Sequence, residues 1–457
     1  MAFKVEITCS ESVKPSSPTP DHRRTHNLTL LDQISPTVYV PLCLFFPGRR
    51  ASSYDQQHCF AESLRDSLSN TLNVYYPFAG RYKDTLSIDC NDAGVDFVRA
   101  RVVCDMSEAL QQQSVDDDRL LPLLACRPQE RRVDSDGKLV LLAVQVSFFE
   151  CGGVSIGVCA WHGLSDACTL ACFLRTWSGF AMKVIGPGDG NDVVVRDCTD
   201  MIPPRDLSVV SEYMDMYQVA MATPGTRIKR FVFGRDEVAA LRRDIEAASR
   251  VQAVSAVIWA AAIRIARDKN VVDGGGCHFA AMTVNLRPRM KPALPEQVMG
   301  SLAKLPVLAA WPVEMSEDEK NDGCYYYGAV AGKLRESLEM VTDEKMRNAV
   351  LGSSDQFWDA LRYSVEKFAG GNLLTISSWC RFPFYEVDFG LGKPAWMCFF
   401  TMCYNLVVLL DAEDGEGIEA WVTLSEEDMS KFEKDIGVLK YATCSKSVGV
   451  CGFSNPS

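Results

Sequence analysis

Of the five histidines in this 457-residue chain, His162 has the surroundings that could support catalysis. It ends an apolar run in "VCAWHGLSDACTL", is followed by Gly163, and has Asp166 four positions on. An imidazole with an ordinary pKa near ~6.5 can accept a proton at neutral pH and give it back. Three roles suit the position: a core histidine satisfied by a carbonyl, a metal ligand, or the base of an active site. Asp166 suggests a His–Asp dyad, but Gly163 marks a turn between the two, so helical i,i+4 geometry does not apply. Capping the next helix or meeting an arginine suits Asp166 better.

The rival chemistries each lack a part. His22 and His26 in "DHRRTH" have the spacing of two ligands on one helix turn, but no glutamate lies between them. Their basic, Pro-flanked setting predicts a solvated surface. His162 with Asp166 supplies two ligands at most, with no third in view. Gly153-Val154-Ser155-Ile156-Gly157 spells Gly-x-Ser-x-Gly, whose serine needs a sharp strand-to-helix turn. Here alternation runs on through Val158 to His162, which predicts Ser155 inside a strand, as it does for His278. "GPGDG" and "DGGGC" lack the Lys-Ser/Thr or the helix start of a phosphate cradle, and read as loops.

Whatever His162 does, the surrounding elements must hold it. "GGVSIGVCAWH" is a strand that delivers the imidazole at its end, after a first strand run in "KLVLLAVQVSFF". The apolar spacing of "DACTLACFLRTWSGFAMKV" predicts a helix from about Asp166 to Val184, capped by Ser165 or Asp166. Upstream, Phe60, Leu64, Leu68 and Leu72 recur at helical spacing and stop before Pro77 and Gly80. "TLSIDC" and "VDFVRARVVC" read as short strands around a turn at Asn91 to Gly94. From "IGPGDGNDVVVRDCTDMIPPRDL" to "ATPGTR" the chain is rich in Gly, Pro and Asp, and reads as an irregular crossover. Beyond it come a strand in "IKRFVFG", a helix from Arg235 to Ala248, and a buried helix in "VQAVSAVIWAAAIRIARDK". A strand in "CHFAAMTVNLRP", a hairpin in "NLVVLLDAEDGEGIEAWVTL" and a Ser425–Asp428 capping box complete the pattern. The class is α/β. We divide it into an N-terminal domain 1–185, a crossover 186–226 and a C-terminal domain 227–457, with part of 350–400 packing on the first.

The composition sets further limits. Hydrophobic residues at 47% and charged residues at 23% describe a well-packed globule. A net charge of −12 argues against a general nucleic-acid surface, so an anionic ligand needs locally placed cations. The eighteen cysteines are scattered without a Cys-x-x-Cys pair, as small buried hydrophobes of a reducing compartment would be. No apolar signal core opens the chain and no apolar run approaches a membrane span. A cytoplasmic protein without membrane contact is expected.

Several segments in order resemble the BAHD acyltransferases of plants, which move acyl groups from coenzyme A to alcohols or amines. They are "HGLSD", "SLSNTLNVYYPFAGR", "SFFECGGVSIGV", "TVNLRPRMKPALPEQVMGS" and "SSWCRFPFYEVDFGLGKP". The likeness runs from about Val13 to Glu433. The opening "KPSSPTP…LTLLDQ" and "DCNDAGVDFVRARV" resemble the vinorine-synthase branch, whose members acylate alkaloids and other hydrophobic alcohols. The resemblance implies two domains like chloramphenicol acetyltransferase with a tunnel between them and His162 reachable from both ends. It implies a monomer that binds no cofactor permanently, uses acyl-CoA as co-substrate, and acts on a small hydrophobic alcohol without an acyl-enzyme or a metal.

It also implies roles. His162 is the general base. Asp166 pairs with Arg287 to hold the His loop, and Asp388, Gly390 and Gly392 of "DFGLG" support a loop near the coenzyme mouth. Thr283, Val284, Asn285, Gly300 and Ser301 line the coenzyme A path. Apart from the resemblance, Arg289, Lys291, Lys304 and Lys393 read either as local cations for its phosphates or as ordinary surface charges. Two positions depart from the family pattern: Leu391 stands for the usual tryptophan of Asp-Phe-Gly-Trp-Gly, and Ala167 for the common glycine after Asp166. Many members have Gly-Asn where Gly300-Ser301 stands. Acetyl is the expected acyl group; benzoyl or longer donors, N-acylation, and a coenzyme-binding relative without turnover are the alternatives.

Overall fold

The computed structural model describes residues 3–48, 53–111, 118–186, 195, 198–222, 225–245, 248–269, 276–303, 308–313, 323–351, 355–400 and 403–444. The first half supplies strands β1 (Val5–Val13), β2 (Thr25–Asn27), β3 (Tyr39–Phe46), β4 (Arg81–Tyr82), β5 (Ser87–Asp89), β6 (Val95–Val102), β7 (Leu142–Phe149) and β8 (Val154–Trp161). The second supplies β9 (Thr226–Phe233), β10 (Cys277–Thr283), β11 (Leu308–Pro312), β12 (Leu373–Ser378), β13 (Trp396–Phe399), β14 (Leu406–Asp411), β15 (Ile418–Ser425) and β16 (Thr443–Cys444).

One mixed sheet runs β1-β6-β7-β8-β3-β13, a second runs β11-β10-β12-β14-β15-β9-β16, and β2-β5-β4 form a small third. The first sheet therefore borrows its edge strand, β13, from the second half, paired antiparallel to β3. Every residue of β3, β7 and β8 is buried, so both faces of the sheet centre are covered. Helices Tyr54–Val74 and Ala167–Ala181 share this core. Trp177 locks them together: its indole N–H donates to Leu64 O at 3.1 Å and Ser67 Oγ at 3.0 Å. Helices Arg250–Asp268 and Gly323–Glu339 join the core of the second sheet.

A third apolar cluster brings parts of both halves together. Leu30, Leu31 and Ile34 pack with Leu286, Met290, Val298 and Leu302, and with Phe357, Leu361 and Val365 of helix Asp355–Ala369. Burying such side chains contributes ~1.5–3 kcal/mol each, enough to hold two loop segments in fixed register. That register places 300–302 against residues 32–35.

Several sequence expectations need correction. The helix read from Phe60 begins at Tyr54, because Ser53 and Gln56 cap each other reciprocally, a polar signal that apolar spacing misses. The helix from Arg235 stops at Asp244, and the one after Asp166 at Ala181. The crossover is not irregular throughout: Ser211–Met221 is a helix that touches helix Asp355–Ala369 through the Tyr217–Phe368 ring pair at 5.1 Å. His26 is buried in β2 rather than solvated, whereas His22 is exposed. The described cysteines carry free thiols.

Candidate active site

The strand β8 ends where the sequence implied, and His162 follows it in a turn. The turn is anchored on both sides, by His162 N–H to Val38 O at 2.9 Å and Leu164 N–H to Trp161 O at 3.0 Å. Gly163 is required there by space: a Cβ would sit 2.5 Å from Tyr82 Oη and 3.0 Å from Trp161 Nε1. Those two rings are themselves bonded, the indole N–H donating to Tyr82 Oη at 2.9 Å.

His162 looks into a cleft that opens to solvent, with about 1140 Å³ of empty space when the solvent at its mouth is included. Its walls come from both halves of the chain, including Val38, Tyr39 and Pro41 from the first and Phe368, Trp379, Phe399 and Val408 from the second. The lining is mostly apolar with several polar side chains set into it, Asp166 among them, the usual make-up of a small-molecule site. Ser377, on β12, is one of them. Its Oγ meets Thr283 Oγ1 at 3.0 Å and accepts from Trp379 Nε1 at 3.2 Å.

Asp166 does not pair with His162. It caps helix Ala167–Ala181 by accepting from Thr169 N–H at 2.8 Å, and its other oxygen accepts from Leu302 N–H at 3.0 Å. Both oxygens also take the Arg287 guanidinium, at 2.7 and 3.2 Å. Arg287 is fully buried and spends its remaining protons on Val298 O, Gly300 O, Thr169 Oγ1 and Asn285 Oδ1. The pair therefore joins the helix that follows His162 to the segment 298–302. Ser301 N–H in turn donates to Asp32 Oδ1 at 2.7 Å, and burial pushes the Asp32 carboxyl up to about 6. Gly300 has φ +138°, and a Cβ there would stand 3.2 Å from Asp32 Oδ1.

Thr283, Asn285 and Ser301 line the cleft; Val284 and Gly300 do not. Val284 packs against the third apolar cluster, and the Gly300 carbonyl accepts from Arg287 and Thr169. Asp388, Gly390 and Gly392 lie outside the lining as well. The Asp388 carboxylate accepts from Gly390 N–H at 2.7 Å and Gly392 N–H at 3.0 Å, closing its own loop. Phe389 of that loop packs edge-on against Trp177 at 4.8 Å, so the loop grips the far end of the helix that Asp166 caps. Leu391 packs against the first core.

Among the expected cations, Arg289 donates to Leu338 O and Val341 O, while Lys291 and Lys393 are exposed outside the cleft lining. Lys304 lies outside the described residues. His278 accepts from Trp259 Nε1 at 3.1 Å, and burial pushes its pKa down to about 4. Ser155 stands inside β8, opposite Phe45 and Ser147. Among the described residues, no group of three or more His, Cys, Asp or Glu could hold a metal, and no helix is long and apolar enough to cross a membrane. Sequence reasoning missed Ser35, Tyr217 and Phe368. It quoted the segments holding Asp32, Ser377 and Trp379 without assigning them; for the last two the strand-then-turn pattern of "LLTISSW" was the available signal.

The family model described as the transferase family matches residues 3–439. The chain belongs to that family, the BAHD transferases. It is an acyl-CoA-dependent O-acyltransferase of the two-domain, mixed α/β architecture. Among its relatives, the limonoid 1-O-acetyltransferase of Citrus sinensis is 37% identical, over 98% of this chain and all of that one. The stemmadenine O-acetyltransferase of Catharanthus roseus is 35% identical, over 95% of this chain and 97% of that one. The crystal structure of vinorine synthase superposes with a TM-score of 0.78 at 31% identity, covering 97% of this chain and all of that one. This BAHD transferase thus shares 95–98% of its length with enzymes named for acetyl transfer.

Proposed function

We propose that the protein transfers an acetyl group from acetyl-CoA to a hydroxyl of a hydrophobic plant specialised metabolite, with His162 as general base. The observation that carries the reading is His162, anchored at a strand end, facing an apolar cleft while Asp166 is fully occupied elsewhere. His162 takes the hydroxyl proton as the acceptor oxygen attacks the thioester carbon. The tetrahedral intermediate then collapses, the C–S bond breaks, and the thiolate leaves as coenzyme A with the proton returned from the imidazolium. The products are the ester and free coenzyme A. Ser377 supports a donor role towards the oxyanion, because accepting from Trp379 leaves its own proton to give. Thr283, Asn285 and Ser301 support a pantetheine path along their side of the cleft.

Relatives named for a limonoid and for stemmadenine favour a bulky, mainly apolar acceptor, and the apolar walls agree. We assign 1–185 and 227–457 to two domains, joined by 186–226, in a monomer of the cytoplasm. The test is a screen of acyl-CoAs against alcohol and amine pools with mass detection. It should return acetyl esters of hydrophobic alcohols, and His162→Ala should abolish them by ~10²–10⁴-fold with the fold intact. Full turnover by a folded His162→Ala protein refutes the assignment.

A further inference from the structure

Proton counting beside the cleft assigns the tautomer of His162. Ser301 Oγ lies 3.3 Å from His162 Nδ1, Ser35 Oγ lies 2.7 Å from Ser301 Oγ, and Leu31 O lies 2.7 Å from Ser35 Oγ. Each hydroxyl has one proton to donate and lone pairs to accept. A carbonyl oxygen has no proton, so the short Leu31–Ser35 contact must be Ser35 donating to Leu31 O. Ser35 has then nothing left to give Ser301, and the contact between the two serines must be Ser301 donating. Ser301 in turn has no proton for the imidazole, so it can only accept from Nδ1–H. The opposite order would leave Ser35 Oγ and Leu31 O at 2.7 Å with no hydrogen between them.

We infer that Ser35 and Ser301 are positioning residues that hold neutral His162 as its Nδ1–H tautomer, leaving the Nε2 lone pair as the base. The inference rests on the base assignment above and deepens it. The chain is directional because one end, the Leu31 carbonyl, cannot be reversed. It is also rigidly held. Ser35 and Ser301 are buried, Ser301 N–H is bonded to Asp32, and the third apolar cluster fixes the two segments to each other. No atom of Ser35 lines the cleft, so a purely structural or substrate-binding account gives it no say in the chemistry. The device is specific to a serine after Gly300: an asparagine there brings a side chain with both a donor and an acceptor end, and the proton count no longer forces one tautomer.

The experiment reads the tautomer directly, by nitrogen NMR of the protein labelled with ¹⁵N-histidine, His162 being assigned by its loss in His162→Gln. Above the imidazole pKa, the unmodified protein should show the proton on Nδ1. In Ser35→Ala, Ser301 regains a proton to donate, so the Nε2–H form should grow. Turnover number should fall roughly tenfold, the worth of one net hydrogen bond, with the KM for acyl-CoA unchanged. Ser301→Ala removes the acceptor outright, and the double variant should fall no further than Ser301→Ala alone, because Ser35 acts only through Ser301. A neutral His162 protonated on Nε2 in the unmodified protein overturns the inference, even if the alanine variants fail to fold. Additive losses in the double variant overturn it too. The base assignment fails by a separate result, turnover surviving in His162→Ala, so the two cannot be confused.

Discussion

Replacing Arg287 by methionine should damage the protein more than a change at any of its surface cations. Methionine fills much of the volume but leaves the Asp166 carboxylate buried with only the Thr169 and Leu302 N–H groups as partners. The carbonyls of Val298 and Gly300 also lose the guanidinium protons they now accept. Breaking a buried pair by removing one partner costs ~3–5 kcal/mol, because the remaining charge is uncompensated. A unit of 150–250 residues shifts its melting midpoint by ~2–4 °C per kcal/mol, so Arg287→Met should melt at least ~6 °C lower. Calorimetry or melting followed by circular dichroism reads that directly. Asp166→Asn should be of similar size, since it leaves the guanidinium charge unpaired. The double variant Asp166→Asn/Arg287→Met should lose less than the two singles summed, by more than ~1 kcal/mol, because no lone charge remains. Below the new midpoint, activity per folded molecule should still fall, since Leu302 and with it Ser301 are tied to Asp166. Midpoints within ~2 °C of the parent, or simple additivity, would refute the claim that this pair holds the His162 segment.

The remaining predictions concern three other sites. Gly163→Ala forces its Cβ to 2.5 Å from Tyr82 Oη, so it should cost ~1–3 kcal/mol in denaturant unfolding and lower turnover; parent-like values would mean the turn has slack. Asp388→Ala frees the N–H groups of Gly390 and Gly392, and should cost ~1–2 kcal/mol while KM for acyl-CoA changes more than the acceptor KM; equal changes would place the loop away from the coenzyme. Asp32 titrates near 6 folded against ~3.9 unfolded, and a raised acid binds its proton more tightly in the native state. Its contribution is therefore fully present below pH 4 and is lost as pH rises through 6, a fall of ~2–3 kcal/mol. Stability–pH curves of the protein and of Asp32→Asn should diverge over that window, and parallel curves would contradict the raised value.

The residues legible in the sequence were those whose signal is local. A strand that runs into His162 and Gly163, followed by a capped apolar helix, is written in one continuous stretch from Val154 to Ala181, and the structure has that strand, turn and helix. Asp166 with Arg287 came from family resemblance, because 121 positions separate the partners and no periodicity links them. Ser35 was illegible for the same reason: its meaning depends on a serine 266 positions away and on a carbonyl one helical turn before it. The crossover misled because its helix, Ser211–Met221, buries only Met221 fully and so lacks a strong apolar stripe. His26 misled because burial in a three-residue strand depends on the neighbouring sheet, which its polar flanks do not encode.

The borrowed strand also sets a timetable for synthesis. β3, the sequence "YVPLCLFF", is buried at all eight positions, and its partner β13 begins at Trp396, after a further 349 residues have followed Phe46. At roughly 5–20 residues per second, a ribosome takes roughly 17–70 s to deliver the strand that covers that edge. Until then that apolar edge has unpaired N–H and C=O groups on offer to any neighbouring chain. Nascent copies on one messenger are the nearest such neighbours. Yield in a foreign host should therefore depend on chaperone supply and on the rate of elongation between Phe46 and Trp396 more than on the stability of the finished fold.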